Sequence, residues 1–281
     1  MFPVTAGDVS ERLISSLERD LQFMLLSKPN LGSRLRLVCA KYRMHLTELL
    51  GRPVKPWFLF LGRAYHVSSY TDGALLQRVL LDTHSALASL GLLGAPGLRA
   101  VDVGAHNGET VLAWSLYLDR PAIQAFEPDA VSLRNAAVNT RGLLATLRGV
   151  GLSDRSGVEG LDVHQGHGGA ATYVQGAHDL PNLIQTTVAR GDDLLAGKDV
   201  DLIKIDVEGY ERHVLEGLRA TLQRCRFLVV EVSLQRPKDH AFHELAGILA
   251  EARYELMAAS RPHAAGDGRQ VAIDLCFRRT L

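Results

Sequence analysis

From Arg99 onward, short apolar runs alternate with amphipathic segments along the chain. The apolar runs predict strands, and the periodic intervals between them predict helices. The predicted strands cover about 99–103, 122–126, 145–150, 201–206 and 226–232, and the predicted helices about 108–118, 129–140, 210–222 and 239–252. This alternation is typical of a doubly wound, mostly parallel α/β sheet, which we predict for residues 96–281.

Residues 1–95 have a helical periodicity instead. A capping box precedes an apolar stripe from Leu13 to Leu25, which predicts a first helix. Further helices are expected at 33–50 and just before the sheet domain, whereas two short apolar pieces between them fit either strand or helix. We expect this N-terminal helical extension either to cover the ligand of the sheet domain or to mediate a homodimer.

The interval 155–200 interrupts the alternation, because it is rich in Gly and His and holds only short β-like pieces. It is predicted either as an inserted hairpin or lid beside the ligand site or as a plain surface excursion. Segments 254–257 and 271–278 flank a glycine-rich turn, which predicts a terminal hairpin that completes the sheet.

Composition narrows the class of protein. Hydrophobic residues make up 47% of the chain and charged residues 22%, as in ordinary folded proteins. Lys plus Arg and Asp plus Glu number 31 each, so no overall field attracts a polyanion and nucleic acid is disfavoured as a partner. The sequence lacks a signal-peptide pattern, an apolar stretch near the ~20 residues that span a bilayer, and C-x-x-C spacing among its three cysteines. These features predict a cytoplasmic protein without a transmembrane segment.

A glycine-containing segment, Asp102-Val-Gly-Ala-His-Asn-Gly108, follows the first predicted strand of the sheet and precedes a helix. Its glycines allow a ligand to approach the backbone closely, and the helix start supplies unpaired N–H groups. The G-x-x-x-G spacing differs from the G-x-G-x-x-G of dinucleotide sites. An acid beside this turn suits a positively charged ligand, such as the amino-acid end of S-adenosylmethionine.

Glu127 ends the next predicted strand, in Ala125-Phe-Glu-Pro128. A carboxylate at the tip of the second strand accepts hydrogen bonds from both ribose hydroxyls of a nucleoside. A second acidic segment, Asp201–Glu211, follows a later strand. Because ligands bind at the carboxyl edge of open α/β sheets, we expect these segments to meet there.

These motifs resemble the FkbM-type family of S-adenosylmethionine-dependent methyltransferases over roughly residues 99–234. The resemblance rests on five segments: Val101-Asp-Val-Gly-Ala-His-Asn-Gly108, Ala125-Phe-Glu-Pro128, Gly151-Leu-Ser-Asp154, Leu202-Ile-Lys-Ile-Asp-Val-Glu-Gly-Tyr-Glu211 with Val214-Leu-Glu-Gly217, and Val229-Val-Glu231. It implies a Rossmann-like methyltransferase sheet and, usually, O-methylation of a small-molecule, sugar or lipid-linked hydroxyl. His106 stands where asparagine is commoner in that family.

The resemblance also implies roles for individual residues. Asp206 would face the transferable methyl group, Glu127 would take the ribose, and Leu152, Ser153 and Asp154 would lie at the adenine. The methionine end of the cofactor would be held by the first glycine segment, through Asp102, Gly104, Ala105, His106 and Gly108.

An alcohol is a poor nucleophile, so the site must hold it in line and remove or polarise its proton. One device is a general base, for which Asp206, Glu208, Glu211 and His213 are candidates; we predict Asp206, Glu208 and His213 as catalytic. The other is a divalent cation such as Mg²⁺, held by Asp206 and Glu231 at neighbouring strand ends.

The predicted function is therefore methylation of a hydroxyl on a sugar, glycolipid or polyketide-like natural product. Three alternatives stay open at this point: N-methylation of a small molecule, an NAD-dependent oxidoreductase, and a non-catalytic protein that binds the cofactor. The NAD alternative is weakened by the missing G-x-G-x-x-G spacing.

Overall fold

The computed structural model describes residues 6–53, 57–67, 69, 71–163, 171–174, 183–233, 242–260, 263–264 and 270–280. Its N-terminal part consists of α1 (Ala6–Leu25), α2 (Leu31–Leu49), β1 (Trp57–Phe60), β2 (Arg63–His66) and α3 (Asp72–Ser89). The two short apolar pieces whose type was open form an antiparallel hairpin, β1–β2. In the described part of the chain, no helix combines the length and apolar character needed to cross a bilayer.

Strands and helices then alternate, as predicted. The first half contains β3 (Arg99–Val103), α4 (Glu109–Tyr117), β4 (Ala122–Phe126), α5 (Ala130–Asn139), β5 (Ala145–Arg148), β6 (Gly151–Ser153), β7 (Gly157–Val163), β8 (Ala171–Val174), β9 (Leu183–Arg190) and α6 (Gly191–Leu194). The second half contains β10 (Leu202–Ile205), α7 (Glu211–Gly217), α8 (Arg219–Leu222), β11 (Phe227–Ser233), α9 (Phe242–Glu251), β12 (Tyr254–Ala259), β13 (His263–Ala264) and β14 (Gln270–Arg279).

The main sheet has the order β12-β14-β11-β10-β3-β4-β5, with β13 beside β14. Strands β11, β10, β3, β4 and β5 are parallel. The terminal hairpin adds β14 antiparallel to β11, and β12 antiparallel to β14. This is the predicted Rossmann-like α/β fold. Strands β3 and β10 are direct neighbours, with Asp102 opposite Lys204, so the two acidic segments meet at one carboxyl edge as expected.

The insertion is larger than the expected hairpin. Strands β6, β9, β7 and β8 form a separate sheet in that order, although part of the 155–200 interval lies outside the described residues. The predicted strand at 145–150 is wrong at its end: β5 stops at Arg148, and Gly151–Ser153 pairs with β9 instead. The change of partner accompanies close packing on α7, since a Cβ on Gly217 would lie 1.8 Å from the Ser153 carbonyl oxygen.

The N-terminal helices pack on the same core as the sheet. Leu76, Leu80 and Leu87 of α3 are buried in one hydrophobic cluster with Trp114 of α4 and with residues of the sheet strands. Burial of large apolar side chains contributes roughly 1.5–3 kcal/mol each, so α3 is held firmly against the sheet domain. The division at residues 95–96 stays a prediction.

A buried polar cluster joins α1, α2 and α3. The Lys41 ammonium contacts the Asp20 carboxylate, which also accepts hydrogen bonds from Gln77 Nε2 (2.7 Å) and from the Tyr42 hydroxyl (2.6 Å). Buried charges are tolerated when they are paired and hydrogen-bonded in this way. The three helices therefore have one fixed arrangement relative to one another.

Candidate active site

The loop after β3 and the loop after β10 are in direct contact. Gly104 has φ +87°, and a Cβ at this position would lie 1.8 Å from the backbone oxygen of Asp206. Only glycine permits this combination of a left-handed backbone and close approach. Gly108 has φ +88°, and its missing Cβ leaves room for the Thr140 methyl group. The predicted glycine segment is thus a tight turn that leads directly into α4.

Glu127 braces this turn from the end of β4. Its Oε2 accepts a hydrogen bond from the His106 backbone N–H at 2.7 Å, and its Oε1 accepts one from the Asp129 N–H at 2.8 Å. Burial raises the pKa of Glu127 to about 7, although both backbone hydrogen bonds oppose that shift. Each carboxylate oxygen has a second lone pair, so the group retains capacity for hydroxyl donors.

Asp102 is completely buried, and among the described residues neither carboxylate oxygen has a hydrogen-bond partner. Burial raises its pKa to about 8, while the nearby Lys204 ammonium lowers it. An unpaired buried carboxyl is costly and usually marks a ligand site or another functional requirement. Its position fits the prediction of an acid beside the glycine turn.

His106 adds positive charge to the same turn. Its Nδ1 lies 3.3 Å from Glu109 Oε1, and its backbone has φ +47°. Burial opposes protonation, but the charge and hydrogen bond of Glu109, with smaller contributions from Asp72 and Glu127, raise the pKa of His106 to about 9. The acidic neighbours of this residue, which departs from the commoner asparagine, therefore favour its imidazolium form at neutral pH.

The N-terminal extension is hydrogen-bonded to the glycine turn, directly through Asp72 and indirectly through Asn139 of α5. Asn107 donates from Nδ2 to Asp72 Oδ2 at 2.9 Å, at the start of α3. Asn139 donates to the Asn107 carbonyl at 2.8 Å and to the His66 carbonyl of β2 at 2.9 Å. The asparagine within the glycine segment was the available signal, because a buried amide needs several partners.

Carboxylates gather just beyond the tip of β10 and beside it on β11, where Glu231 lies within the strand. One oxygen from each of Asp206, Glu208 and Glu231 lies within 4.8 Å of the other two, so the predicted metal pair gains a possible third ligand. Lys204 Nζ lies 2.5 Å from Asp206 Oδ2 and already places a positive charge there. Burial and the charge of Asp206 raise the pKa of Glu231. The metal stays a prediction.

His213 lies in a different group from Asp206 and Glu208. Its ring is 4.4 Å from that of Tyr210, centroid to centroid, and its Nδ1 is 3.4 Å from Asp154 Oδ1. Ser153 Oγ lies 3.1 Å from the Tyr210 hydroxyl, so this group borders the turn predicted to meet adenine.

Glu211 stabilises the loop after β10 through a hydrogen bond to its backbone. It is buried, accepts a hydrogen bond from the Gly209 N–H at 2.8 Å, and has a pKa that burial raises to about 7. The structure therefore places Glu211 in a bracing position for the turn after Asp206.

A cavity opens between the sheet and α3, next to Asp206. Leu202 and Val229 line it along the strands, whereas Asp206 and Glu231 line it toward the carboxyl ends. Arg78 and Asp82 of α3, Lys204, Asp274 and Trp114 complete the charged and aromatic part of the lining. The acids around Arg78 raise the pKa of its guanidinium against the opposing effect of burial. The N-terminal extension thus builds one wall of the cavity.

Residues 102–256 match the model of the methyltransferase FkbM domain. The match covers more than half of the chain and includes both loops. The protein belongs to the FkbM methyltransferase family.

Solved structures of similar proteins include an FkbM methyltransferase from Methylobacillus flagellatus KT, with 17% identity and a TM-score of 0.42; the match covers 85% of this chain and 59% of that one. Magnesium protoporphyrin IX methyltransferase from Synechocystis PCC 6803, solved with bound S-adenosylmethionine, has 14% identity, a TM-score of 0.45 and coverages of 73% and 80%. Precorrin-6y C5,15-methyltransferase from Geobacter metallireducens GS-15 has 13% identity, a TM-score of 0.43 and coverages of 70% and 87%. No curated protein sequence matches the chain.

Within this FkbM domain, the predicted site residues form three neighbouring groups. The glycine turn and Glu127 are joined by hydrogen bonds, and Gly104 joins that turn to Asp206. Leu152 and Ser153 are buried in β6, and Ser153 contacts Tyr210 and Asp154.

Proposed function

We propose that this FkbM-family methyltransferase uses S-adenosylmethionine and methylates a hydroxyl of a sugar, glycolipid or other natural-product small molecule. The observation that carries the proposal is the contact between Gly104 and the Asp206 backbone. This contact places the turn proposed to hold the cofactor directly beside the acid proposed to meet the acceptor. The cofactor and the acceptor would then meet at one reacting centre.

The glycine turn has the charges that the methionine end of the cofactor requires. The buried carboxyl of Asp102 would accept from the ammonium group, and the imidazolium of His106 would balance the carboxylate. Glu127 would accept hydrogen bonds from the ribose hydroxyls, and Leu152 and Ser153 would border the adenine. S-adenosylmethionine supplies the electrophilic methyl group when bound.

Asp206 is proposed as the general base for the acceptor hydroxyl. Lys204 holds this carboxylate at 2.5 Å, which limits its rotation toward other orientations. The cavity beside Asp206 presents carboxylates, a guanidinium and the Trp114 ring, groups that hydrogen-bond and pack against polyhydroxylated molecules. Positioned proton transfer of this kind contributes roughly 10²–10⁴-fold to a rate.

A divalent cation is the second proposed device for activating the hydroxyl. Asp206, Glu208 and Glu231 supply oxygen donors that suit Mg²⁺. Chelation distinguishes the two devices. Turnover that survives excess EDTA supports the base alone, whereas turnover that EDTA abolishes and Mg²⁺ restores supports the cation.

The central experiment compares cofactor binding with methyl transfer. We expect S-adenosylhomocysteine to bind in calorimetry, and a panel of hydroxylated acceptors to reveal turnover in the presence of S-adenosylmethionine. Asp206→Asn should lower kcat by about 100-fold or more while leaving S-adenosylhomocysteine affinity within a few-fold. Asp199→Asn is the control, because this exposed acid precedes β10 and pairs with Arg99 at the start of β3, at the end of the strands opposite Asp206.

The alternatives give different results. An N-methyltransferase would tolerate Asp206→Asn better, since an amine needs only deprotonation of its ammonium form. Binding of NADH without binding of S-adenosylhomocysteine would favour an oxidoreductase. Cofactor binding without turnover on any acceptor would favour a non-catalytic protein.

A further inference from the structure

Helix α1 presents an exposed apolar stripe. Ile14, Leu17, Leu21 and Leu25 are 56–76% exposed, although they follow the three- and four-residue spacing of a helix contact face. The opposite side of α1 already packs inward through Asp20 and Phe23. The stripe is therefore a second face that no described part of the chain covers.

Helix α2 presents a matching stripe. Its exposed members are Leu35, Cys39, Tyr42, Leu46 and Leu49. Their spacing of four, three, four and three residues is the heptad spacing of helices that pair with other helices. The inward side of α2 is formed by Leu37, Ala40 and Met44.

The two stripes belong to one rigid unit. The polar cluster of Asp20, Lys41 and Gln77 joins α1, α2 and α3. The Arg34 side chain of α2 also donates to the carbonyl groups of Met24 and Leu26 at the end of α1. The eight large hydrophobic side chains of the two stripes are 42–76% exposed. Monomeric proteins rarely expose so many large apolar side chains together, and such surfaces usually mark an interface.

Charges beside the stripes differ in sign between the helices. Glu18 flanks the α1 stripe, whereas Arg36 and Arg43 flank the α2 stripe, and all three side chains belong to exposed residues. Two α2 stripes facing each other would place arginines against arginines, and two α1 stripes would place Glu18 against Glu18. An α1 stripe facing an α2 stripe places opposite charges together.

From these observations we propose that the α1 and α2 stripes bind a second copy of this chain. In this homodimer, α1 of each protomer packs on α2 of its partner, so the same contact occurs twice around a two-fold axis. The surface is separate from the methyl-transfer site, and the inference does not depend on the proposed function.

The first test measures mass in solution by sedimentation equilibrium of the full chain. We expect a dimer for the wild-type protein and a monomer for Leu17→Glu/Leu21→Glu, with unchanged far-ultraviolet circular dichroism. The matched control is Leu144→Glu, because Leu144 is 66% exposed but lies outside both helices. A wild-type protein that stays monomeric at 100 μM, or a double variant that stays dimeric, would overturn the proposal.

Charge reversal tests the pairing of α1 with α2. Glu18→Arg or Arg43→Glu should each raise the dimer dissociation constant about tenfold, and the double reversal should recover most of that loss. Equal weakening by the single and double variants would refute the α1–α2 arrangement.

Cysteine alkylation supplies a readout without mutation. Cys39 is exposed in the stripe, whereas Cys225 and Cys276 are buried. The rate of Cys39 alkylation by N-ethylmaleimide should fall at least fivefold as protein concentration rises through the dimer range. An alkylation rate that does not depend on protein concentration would contradict a second copy as the occupant. A protein that stays monomeric and sediments with phosphatidylserine vesicles would contradict it as well, because the stripes would then bind a membrane surface.

Discussion

Replacement of Glu127 by Gln tests the ribose assignment most directly. The substitution keeps the shape of the side chain but exchanges one acceptor oxygen for a donor NH₂ group. Both oxygens now accept backbone N–H groups, from His106 at 2.7 Å and from Asp129 at 2.8 Å. The amide nitrogen must therefore face one of those donors, and the charge available to ribose hydroxyls is lost.

The expected loss follows from these contacts. A hydrogen bond to a charged group contributes about 1.5–3 kcal/mol, so affinity for S-adenosylhomocysteine should fall by about 10- to 150-fold. Burial raises the pKa of Glu127 in the free protein to about 7. Because the ionised form accepts hydroxyl donors, wild-type affinity should rise up to about tenfold between pH 6 and pH 8. The Gln variant should lack this part of the pH dependence.

The assay is calorimetry with S-adenosylhomocysteine and with its 2′,3′-dideoxy analogue, at pH 6, 7 and 8. If Glu127 contacts the ribose, the loss of affinity caused by the substitution should nearly vanish for the dideoxy ligand. That ligand lacks the hydroxyls, so neither the wild-type protein nor the Gln variant can make the hydrogen bonds with it. Equal penalties for the two ligands would show that Glu127 acts only by bracing the glycine turn. That result, or unchanged affinity for S-adenosylhomocysteine, would refute the ribose assignment.

Two further predictions concern the same edge of the sheet. Gly104→Ala should abolish cofactor binding and destabilise the fold more than Gly142→Ala does, because both positions have positive φ but only Gly104 abuts the Asp206 carbonyl. Calorimetry measures the loss of binding and thermal unfolding the loss of stability. Equal losses in the two variants would contradict the crowding argument. The pKa of Asp102 is about 8 in the folded protein and about 3.9 in an unfolded chain, so the folded state binds the extra proton and stability without ligand falls as pH rises from about 4 to 8. Asp102→Asn should remove this pH-dependent part of the unfolding free energy, which is on the order of a few kcal/mol between pH 5 and pH 8. Urea unfolding of both proteins at the two pH values measures it. A difference between wild type and variant that is the same at both pH values would disprove the shift.

Much of the sheet was predictable because its signals are local. Apolar runs such as Leu202–Ile205 and the glycines and acids that follow them mark strand ends without reference to the rest of the chain. The end of the strand at 145–150 was not predictable. β6 leaves the main sheet where Ser153 packs closely on Gly217. These two residues are 64 positions apart, so no local pattern reports their contact.

The N-terminal hairpin was undecided for a related reason. Runs of four residues, such as Trp57–Phe60, are too short for periodicity to separate strand from helix. The pairing of β1 with β2, and the hydrogen bonds of β2 to Asn139 of α5, decide the conformation.

The amino-acid sequence by itself determined the α/β fold, the glycine turn and the presence of acids at two strand ends, because each depends on residues close together in the chain. The tertiary structure decided how the charges are partnered: Lys204 lies on Asp206, His213 lies beside Asp154, and Arg78 of α3 faces the carboxylate-lined cavity. A carboxylate's chemistry depends on its burial and on the charges within a few ångströms. Those neighbours come from distant segments, so only packing reveals which acid is buried, which is paired and which can meet a substrate.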